Sequence, residues 1–465
     1  MKRNRLFSLI LLLGITTARA QQEGQDDIKG YKTPTDKQVA DKVARWQELK
    51  FGLFMHWGTY SQWGIVESWS LSPEDYAFTK RKGPHGDNYF EYKKAYENLQ
   101  TTFNPTAFDP DKWADIAAAG GMKYMVITTK HHDGFCMYDS KYTDYKITGT
   151  KSPYASNANS NITKVLFDAF RKKGFMVGAY YSKADWNSED FWWSYFPPTS
   201  RHVNYDIKKY PERWKRFNAF NYNQIEELMT GYGRVDLLWL DGDWAKIDMA
   251  PIATMARQKQ PGLIMVDRHG PPEYVNYLTP EQKIPAHFIS VPWETCMTMG
   301  KSWAFDPKEQ YRSSRELVQK LVDIVAKNGN LLLGVGPGPD GEWHPVAYER
   351  LKEMGAWLKA NGESIYGTKP VAPYRKDKWA FTTNGKSLFA SYLPADKEKD
   401  LPAVMIIEDS LMTVPANATI TLLGMQKTLK WTKSGNQVEI QIPEAVRTQL
   451  TNQPVWVFSI TGKNK

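Results

Sequence analysis

Residues 235–244 read Val-Asp-Leu-Leu-Trp-Leu-Asp-Gly-Asp-Trp, and residues 286–295 read Ala-His-Phe-Ile-Ser-Val-Pro-Trp-Glu-Thr. Each is a short apolar run ending on an acid, Asp241 in the first and Glu294 in the second, with a tryptophan close by. An unpaired carboxylate in apolar surroundings is costly, so acids at the ends of buried strands point to chemistry. Working outward, runs of the same texture occur at 51–57, 124–129, 175–181, 263–267 and 331–336, alongside strands expected at 235–241 and 288–293. Helical segments separate them. Asp109-Pro110 opens one that stops at Gly120-Gly121, Ser160 is expected to cap another that ends at Gly174, and Pro211 starts a third that runs to Gly231. Such alternation predicts parallel βα units. Seven or eight of them in one chain favour a somewhat irregular (β/α)8-like TIM barrel over an open sheet, although the pattern does not reveal an eighth unit.

After about residue 370 the texture changes to short alternating segments such as 379–384, 387–393, 403–409, 418–423 and 455–460, with turn residues between them. This predicts a C-terminal antiparallel β-sandwich. At the other end, Lys2, Arg3 and Arg5 precede an apolar stretch from Leu6 to Ile15 and the small-residue pattern Ala18-Arg19-Ala20. That is the layout of a cleavable signal peptide, so the chain is expected to be exported, periplasmic or secreted, with cleavage near Ala20. The expected division is a leader over 1–20, a linker over 21–36, a catalytic barrel over 37–368 and a sandwich over 369–465. The apolar stretch is too short to span a bilayer, and no later one approaches the roughly 20 residues needed.

The formal net charge of +9 includes the four basic residues of the leader, and the remaining lysines and arginines are scattered. Neither nucleic acid nor membrane insertion is implied. Two cysteines, Cys136 and Cys296, are too few for a disulfide scaffold. A bridge between them and a pair of free buried thiols both remain open.

In a parallel barrel, reactive groups gather where strands end. There stand His56, then Lys130-His131-His132-Asp133, then Tyr180-Tyr181, Asp241, Arg268 and Glu294, including three of the eight histidines in the chain. Adjacent histidines on an extended segment point to opposite sides, so His131 and His132 are poorly placed to chelate one ion, and no HExxH occurs. No metal or other cofactor is expected. A chitinase-like acid series fails on spacing, since Asp236, Asp241 and Asp243 lead to Ala245 and not to a glutamate. The glycines of 334–341 lack the Lys-Ser/Thr of a phosphate loop.

What remains is a retaining glycosidase, with Asp241 as nucleophile and Glu294 as acid/base. Retention needs carboxyls about 5 to 5.5 Å apart. At that separation two ionised carboxylates repel by roughly 3 kcal/mol, so one keeps its proton. The bland alternative has Asp241 capping a helix and Glu294 paired with a lysine.

The motifs FGLFMHWGTYS (51–61), ESWS (67–70), KYMVITTKHHDGF (123–135), GAYYS (178–182), LLWLDG (237–242), DRHG (267–270) and NLLLGVGPGPDG (330–341) together resemble glycoside hydrolase family 29, the α-L-fucosidases. The resemblance covers about residues 40 to 365. It implies an exo-acting retaining enzyme that removes terminal α-L-fucose from oligosaccharides or glycoconjugates through a covalent fucosyl-Asp241 intermediate. It further implies that His56, His131 and His132 bind fucose hydroxyls, that Trp69, Tyr180 and Arg268 complete the polar shell, and that Trp303 stacks on the sugar's apolar face. Glu67 would orient the pocket from behind. Each histidine has the alternative of a buried structural role. The family's acid/base lies in variable sequence; Glu294 is the first choice, with Glu273 and Glu281 behind it. Other readings are an exo-glycosidase for a related sugar, such as an α-L-galactoside, and an inactive carbohydrate-binding protein.

Overall fold

The computed structural model describes residues 31–74, 76–81, 85–425 and 427–462. The expected leader therefore lies outside the described residues. Seven parallel strands form the first sheet: β1 (Phe51–Met55), β2 (Tyr124–Lys130), β3 (Met176–Ser182), β4 (Leu237–Asp241), β5 (Ile264–Asp267), β6 (Trp293–Thr298) and β7 (Gly329–Val335). Their spatial order is β5-β4-β3-β2-β1-β7-β6, so the sheet curls and is left open between β5 and β6.

The helices of this part are α1 (Lys37–Leu49), α2 (Tyr89–Asn98), α3 (Pro110–Ala119), α4 (Ile162–Lys172), α5 (Pro211–Gly231), α6 (Met249–Lys259), α7 (Ser314–Ala326) and α8 (Pro345–Asn361). Asp109 caps α3 through Lys112 N–H, with proline at the first position, as expected. The cap of α4 is Asn161 and not Ser160: its side-chain oxygen accepts from Lys164 N–H. Both residue types can cap, and the one whose oxygen reaches the third amide decides.

The place of an eighth strand is taken by the irregular segment 275–282. Val275 bridges to Val266 on β5, while Leu278 and Glu281 bridge in parallel to Trp293 and Cys296 on β6. Asn276 N–H donates to Met265 O, and Gln282 N–H to Cys296 O. These bonds supply partners that two open strand edges would otherwise lack.

This closure corrects the expected strand at 288–293. Regular pairing begins only at Trp293, which lies opposite Gly329 at the start of β7. Pro292 cannot donate to a ladder and stands just before the strand. Glu294 is thus the second residue of β6, at the amino end of the barrel, whereas Asp241 is the last residue of β4. The two acids occupy opposite ends.

Barrel interior and floor form one apolar cluster, including Phe54, Tyr180, Trp239, Cys296 and Leu332, closed below by Val39, Val43 and Trp46 of α1. Trp46 stacks on Tyr277 with ring centroids 4.0 Å apart. Cys136 and Cys296 are free and buried.

From Lys369 the chain forms two antiparallel sheets. One holds five strands and the other three, with the five in the order Thr419–Leu422, Trp456–Thr461, Leu388–Tyr392, Trp379–Thr383, Lys369–Lys376 and the three in the order Val404–Glu408, Gln437–Gln441, Trp431–Ser434. The strands are β8 (Lys369–Lys376), β9 (Trp379–Thr383), β10 (Leu388–Tyr392), β11 (Val404–Glu408), β12 (Thr419–Leu422), β13 (Trp431–Ser434), β14 (Gln437–Gln441) and β15 (Trp456–Thr461), with a short helix α9 (Glu444–Gln449). Their facing sides share a core of Phe381, Ile407, Ile420, Val438, Ile440 and Phe458. Among the described residues no helix is long and apolar enough to cross a membrane.

Candidate active site

Asp241 is placed by the end of β4, and the residue after it, Gly242, turns with φ +77° so that the chain leaves the sheet at once. That conformation suits glycine because it has no Cβ. The carboxylate opens into a cavity of about 250 Å³ lined by His56, Glu67, Trp69, His131, Tyr180, Arg268 and Trp303, among others. Tyr180 donates its hydroxyl to Asp241 Oδ2 at 2.8 Å. Arg268 Nη1 lies 3.5 Å from Oδ1, and His132 Nε2 lies 4.0 Å from Oδ2. Burial alone would raise the pKa of Asp241; Arg268, His132 and the Tyr180 hydrogen bond outweigh it and hold the group at about 2. It is therefore a carboxylate at any physiological pH.

The same guanidinium reaches a second acid. Arg268 Nη2 donates to Glu281 Oε2 at 2.5 Å, and Trp303 Nε1 donates to Glu281 Oε1 at 3.2 Å. Glu281 sits on the segment that closes the barrel, level with Cys296 of β6, and lines the cavity. Arg268 in turn rests against the ring of Trp239 at 5.3 Å, and that ring stacks on Tyr180 with centroids 5.4 Å apart. The two carboxylates, one tyrosine and one arginine form a connected set.

Glu294 is not part of it. Fully buried at the barrel floor, it accepts from Tyr124 OH at 2.6 Å, Tyr277 OH at 3.1 Å and Trp239 Nε1 at 3.3 Å. Burial raises its pKa to about 7 against the pull of these three neutral donors. The expectation that Glu294 faces Asp241 is thus corrected: its carboxyl is bonded to the Trp239 indole at the floor and does not line the cavity into which Asp241 opens. Glu273 is exposed and lines a different depression, beside Arg257.

The three histidines are buried and neutral. His56 is pushed down to about 3 and His132 to about 4, chiefly by burial, and His131 falls well below its ordinary value for the same reason. His131 Nδ1 is bonded to Ser68 Oγ and His132 Nδ1 to Ser182 Oγ, which fixes the rings and leaves each Nε2 for another partner. The Nδ1 of His56 and the Nε1 of Trp244 are buried with no hydrogen-bond partner among the described residues. Glu67 accepts from Ala304 N–H at 3.0 Å, and burial raises it to about 8, so it lines the cavity as a neutral acid able to donate.

Lys130 and Asp133, from the same stretch as the histidines, serve packing. Lys130 pairs with Asp185 at 3.1 Å, and Asp133 accepts from Tyr96 at 2.8 Å. Sequence reasoning passed over Arg201, Asp243, Trp244 and His269, which also line the cavity. Arg201 lies over Trp69 at 4.8 Å and Trp244 at 5.3 Å, and pairs with Glu74. It comes from the long connection between β3 and α5, where no periodicity marks it. Among the described residues no cluster of three ligand side chains is placed to hold a metal ion.

The chain is similar to known proteins over most of its length. The family model described as alpha-L-fucosidase matches residues 17–363, and that of the alpha-L-fucosidase C-terminal domain matches residues 375–461. An alpha-L-fucosidase from Branchiostoma floridae is 28% identical, with 98% of this chain and 99% of that protein covered. Among solved structures, alpha-L-fucosidase isoenzyme 1 from Paenibacillus thiaminolyticus superposes with a TM-score of 0.75 at 29% identity, covering 92% of this chain and all of that one. The Thermotoga maritima alpha-fucosidase in complex with fucose gives 0.71 at 26% identity, over 92% of this chain and all of that one.

Proposed function

Because the chain belongs to the α-L-fucosidase family, we propose that it removes terminal α-L-fucosyl residues from glycans with net retention, using Asp241 as nucleophile and Glu281 as acid/base. The observation that carries these roles is a single guanidinium, Arg268, holding both carboxylates at the wall of a cavity sized for one sugar ring.

In the first step an Asp241 oxygen attacks the anomeric carbon as the glycosidic bond breaks, and the proton of Glu281 passes to the departing oxygen. In the second, Glu281 takes a proton from water, the resulting oxygen attacks the same carbon, and the bond to Asp241 breaks. Two inversions leave the configuration retained. Asp241 is suited to attack because it is ionised and fixed by Tyr180; Glu281 suits proton traffic because it is the more exposed acid, at 38% against 17%. Neutral histidines offer a donor and an acceptor apiece, which matches sugar hydroxyls. Trp303, 5.0 Å from His56, presents an indole on which the apolar face of fucose stacks.

Azide rescue tests the assignment. Glu281→Ala should lose roughly 10²- to 10⁴-fold in turnover of a fucoside with a poor leaving group. With an activated aryl fucoside, azide should restore turnover and give a fucosyl azide. Rescue of Glu294→Ala in place of Glu281→Ala would overturn these roles.

The leader pattern of residues 1–20 supports export to the periplasm or beyond. Amino-terminal sequencing of the mature protein should begin near Gln21; a chain that retains Met1 through Ala20 would refute it.

A further inference from the structure

Beside the sugar cavity lies a second one of about 560 Å³, against about 250 Å³ for the first. The two share Glu67, Trp69, Arg201, Glu281 and Trp303. Asp241 lines only the first, whereas Glu281 lines both. In a retaining mechanism the nucleophile faces the ring carbon and the acid faces the departing oxygen. Granting those catalytic roles, on which this inference rests, the scissile bond lies at the shared boundary and the leaving group departs into the second cavity.

The walls there are of two kinds. Ile65, Val66, Ala77 and Phe78 supply an apolar ledge, and Lys80, Lys301, Ser302 and Asp306 supply polar groups around it. Phe78 is 49% exposed, so its ring is open to a ligand in the cavity. Its ring lies parallel to Tyr76, itself 45% exposed, at 5.4 Å and 4°. It meets Trp69 edge-on at 5.5 Å. The Arg201 guanidinium lies 5.3 Å from the Tyr76 ring. An aromatic ledge ringed by hydrogen-bonding groups suits a pyranose, which offers a C–H face to stack and hydroxyls at its edge. An apolar aglycone would leave that polar rim unpaired.

We propose that this second cavity is a leaving-group site for a saccharide, stacked on Phe78, which Tyr76 backs, with room for about two rings by its volume relative to the first. It makes the enzyme selective for fucose carried on an oligosaccharide over fucose carried on a small group. The test compares fucosyllactose, whose leaving group is a disaccharide, with α-L-fucosyl fluoride, whose leaving group is one atom. In Phe78→Ala the ratio of kcat/KM on fucosyllactose to that on the fluoride should fall roughly three- to tenfold, the scale of one lost ring contact. Phe78→Trp should restore it. A ratio unchanged in Phe78→Ala, or a Trp variant no better than Ala, would overturn the site. If the wild-type protein left the fluoride intact, the fault would lie with the catalytic roles of Asp241 and Glu281 and not with the ledge.

Discussion

Two carboxylates that look alike in the sequence acquire opposite characters from what surrounds them. Asp241 is held at about 2 because a guanidinium and a hydroxyl face it, whereas Glu294 rises to about 7 because burial outweighs its neutral donors. The consequence for stability has a definite sign. A carboxyl whose folded pKa lies above its unfolded value binds its proton more tightly in the native state, so stability falls as pH rises from about 4.5 to about 7. Glu67, raised to about 8, adds to the same slope. Glu294→Gln should flatten that dependence, gaining on the order of 3 kcal/mol relative to wild type between about pH 4.5 and 8. Thermal melts at several pH values measure this; parallel curves for the two proteins would contradict it. The histidines bear on activity. Since burial holds His132 at about 4 and His56 at about 3, the acid limb of kcat/KM on an aryl fucoside should fall near pH 4 or below, and not near about 6.5.

Among the elements, β7 positions the site without contributing a reactive group. A Cβ on Gly334 would lie 2.9 Å from the Trp303 ring, so the bare backbone is what leaves room for the indole that donates to Glu281. Gly334→Ala should therefore lower kcat/KM by roughly ten- to hundredfold, as a misplaced contact to the acid/base would, with little change in melting temperature. Loss of fold in place of loss of rate would show that the glycine serves packing alone. The irregular segment 275–282 is the other decisive element. It stands where a regular strand would complete the barrel, and it delivers Glu281 to the mouth through hydrogen bonds to β5 and β6.

At the scale of the molecule, barrel and sandwich share apolar surface. Ala380, Phe389, Leu393, Val455 and Val457 of the C-terminal part belong to the same core as the helices of the barrel. Trp357 of α8 donates to Val455 O, and Gln319 of α7 donates to Pro394 O and Pro454 O. Calorimetry should show one cooperative transition, and a chain ending at residue 368 should aggregate or melt well below the full protein because it exposes α7 and α8. Two resolved transitions would argue against this shared core. His56, His131, His132, Tyr180, Asp241 and Arg268, at or near strand ends, were legible in the sequence because a regular strand fixes, by its own period, where its residues point. Glu67, Trp69 and Trp303 lie off the strands and were found through the family motifs or as an aromatic near the expected acid. Glu281, which stands across the cavity from Asp241, was legible only as a fallback behind Glu294. Glu281 lies in a stretch without periodicity, whose place is set by bonds to residues far off in the chain, and the start of β6 is set by its pairing with β7. Local pattern singled out Asp241 and most of the residues that line its cavity; only the closing of the barrel decided which acid stands across from it, because that closure depends on long-range hydrogen bonds that leave no local trace.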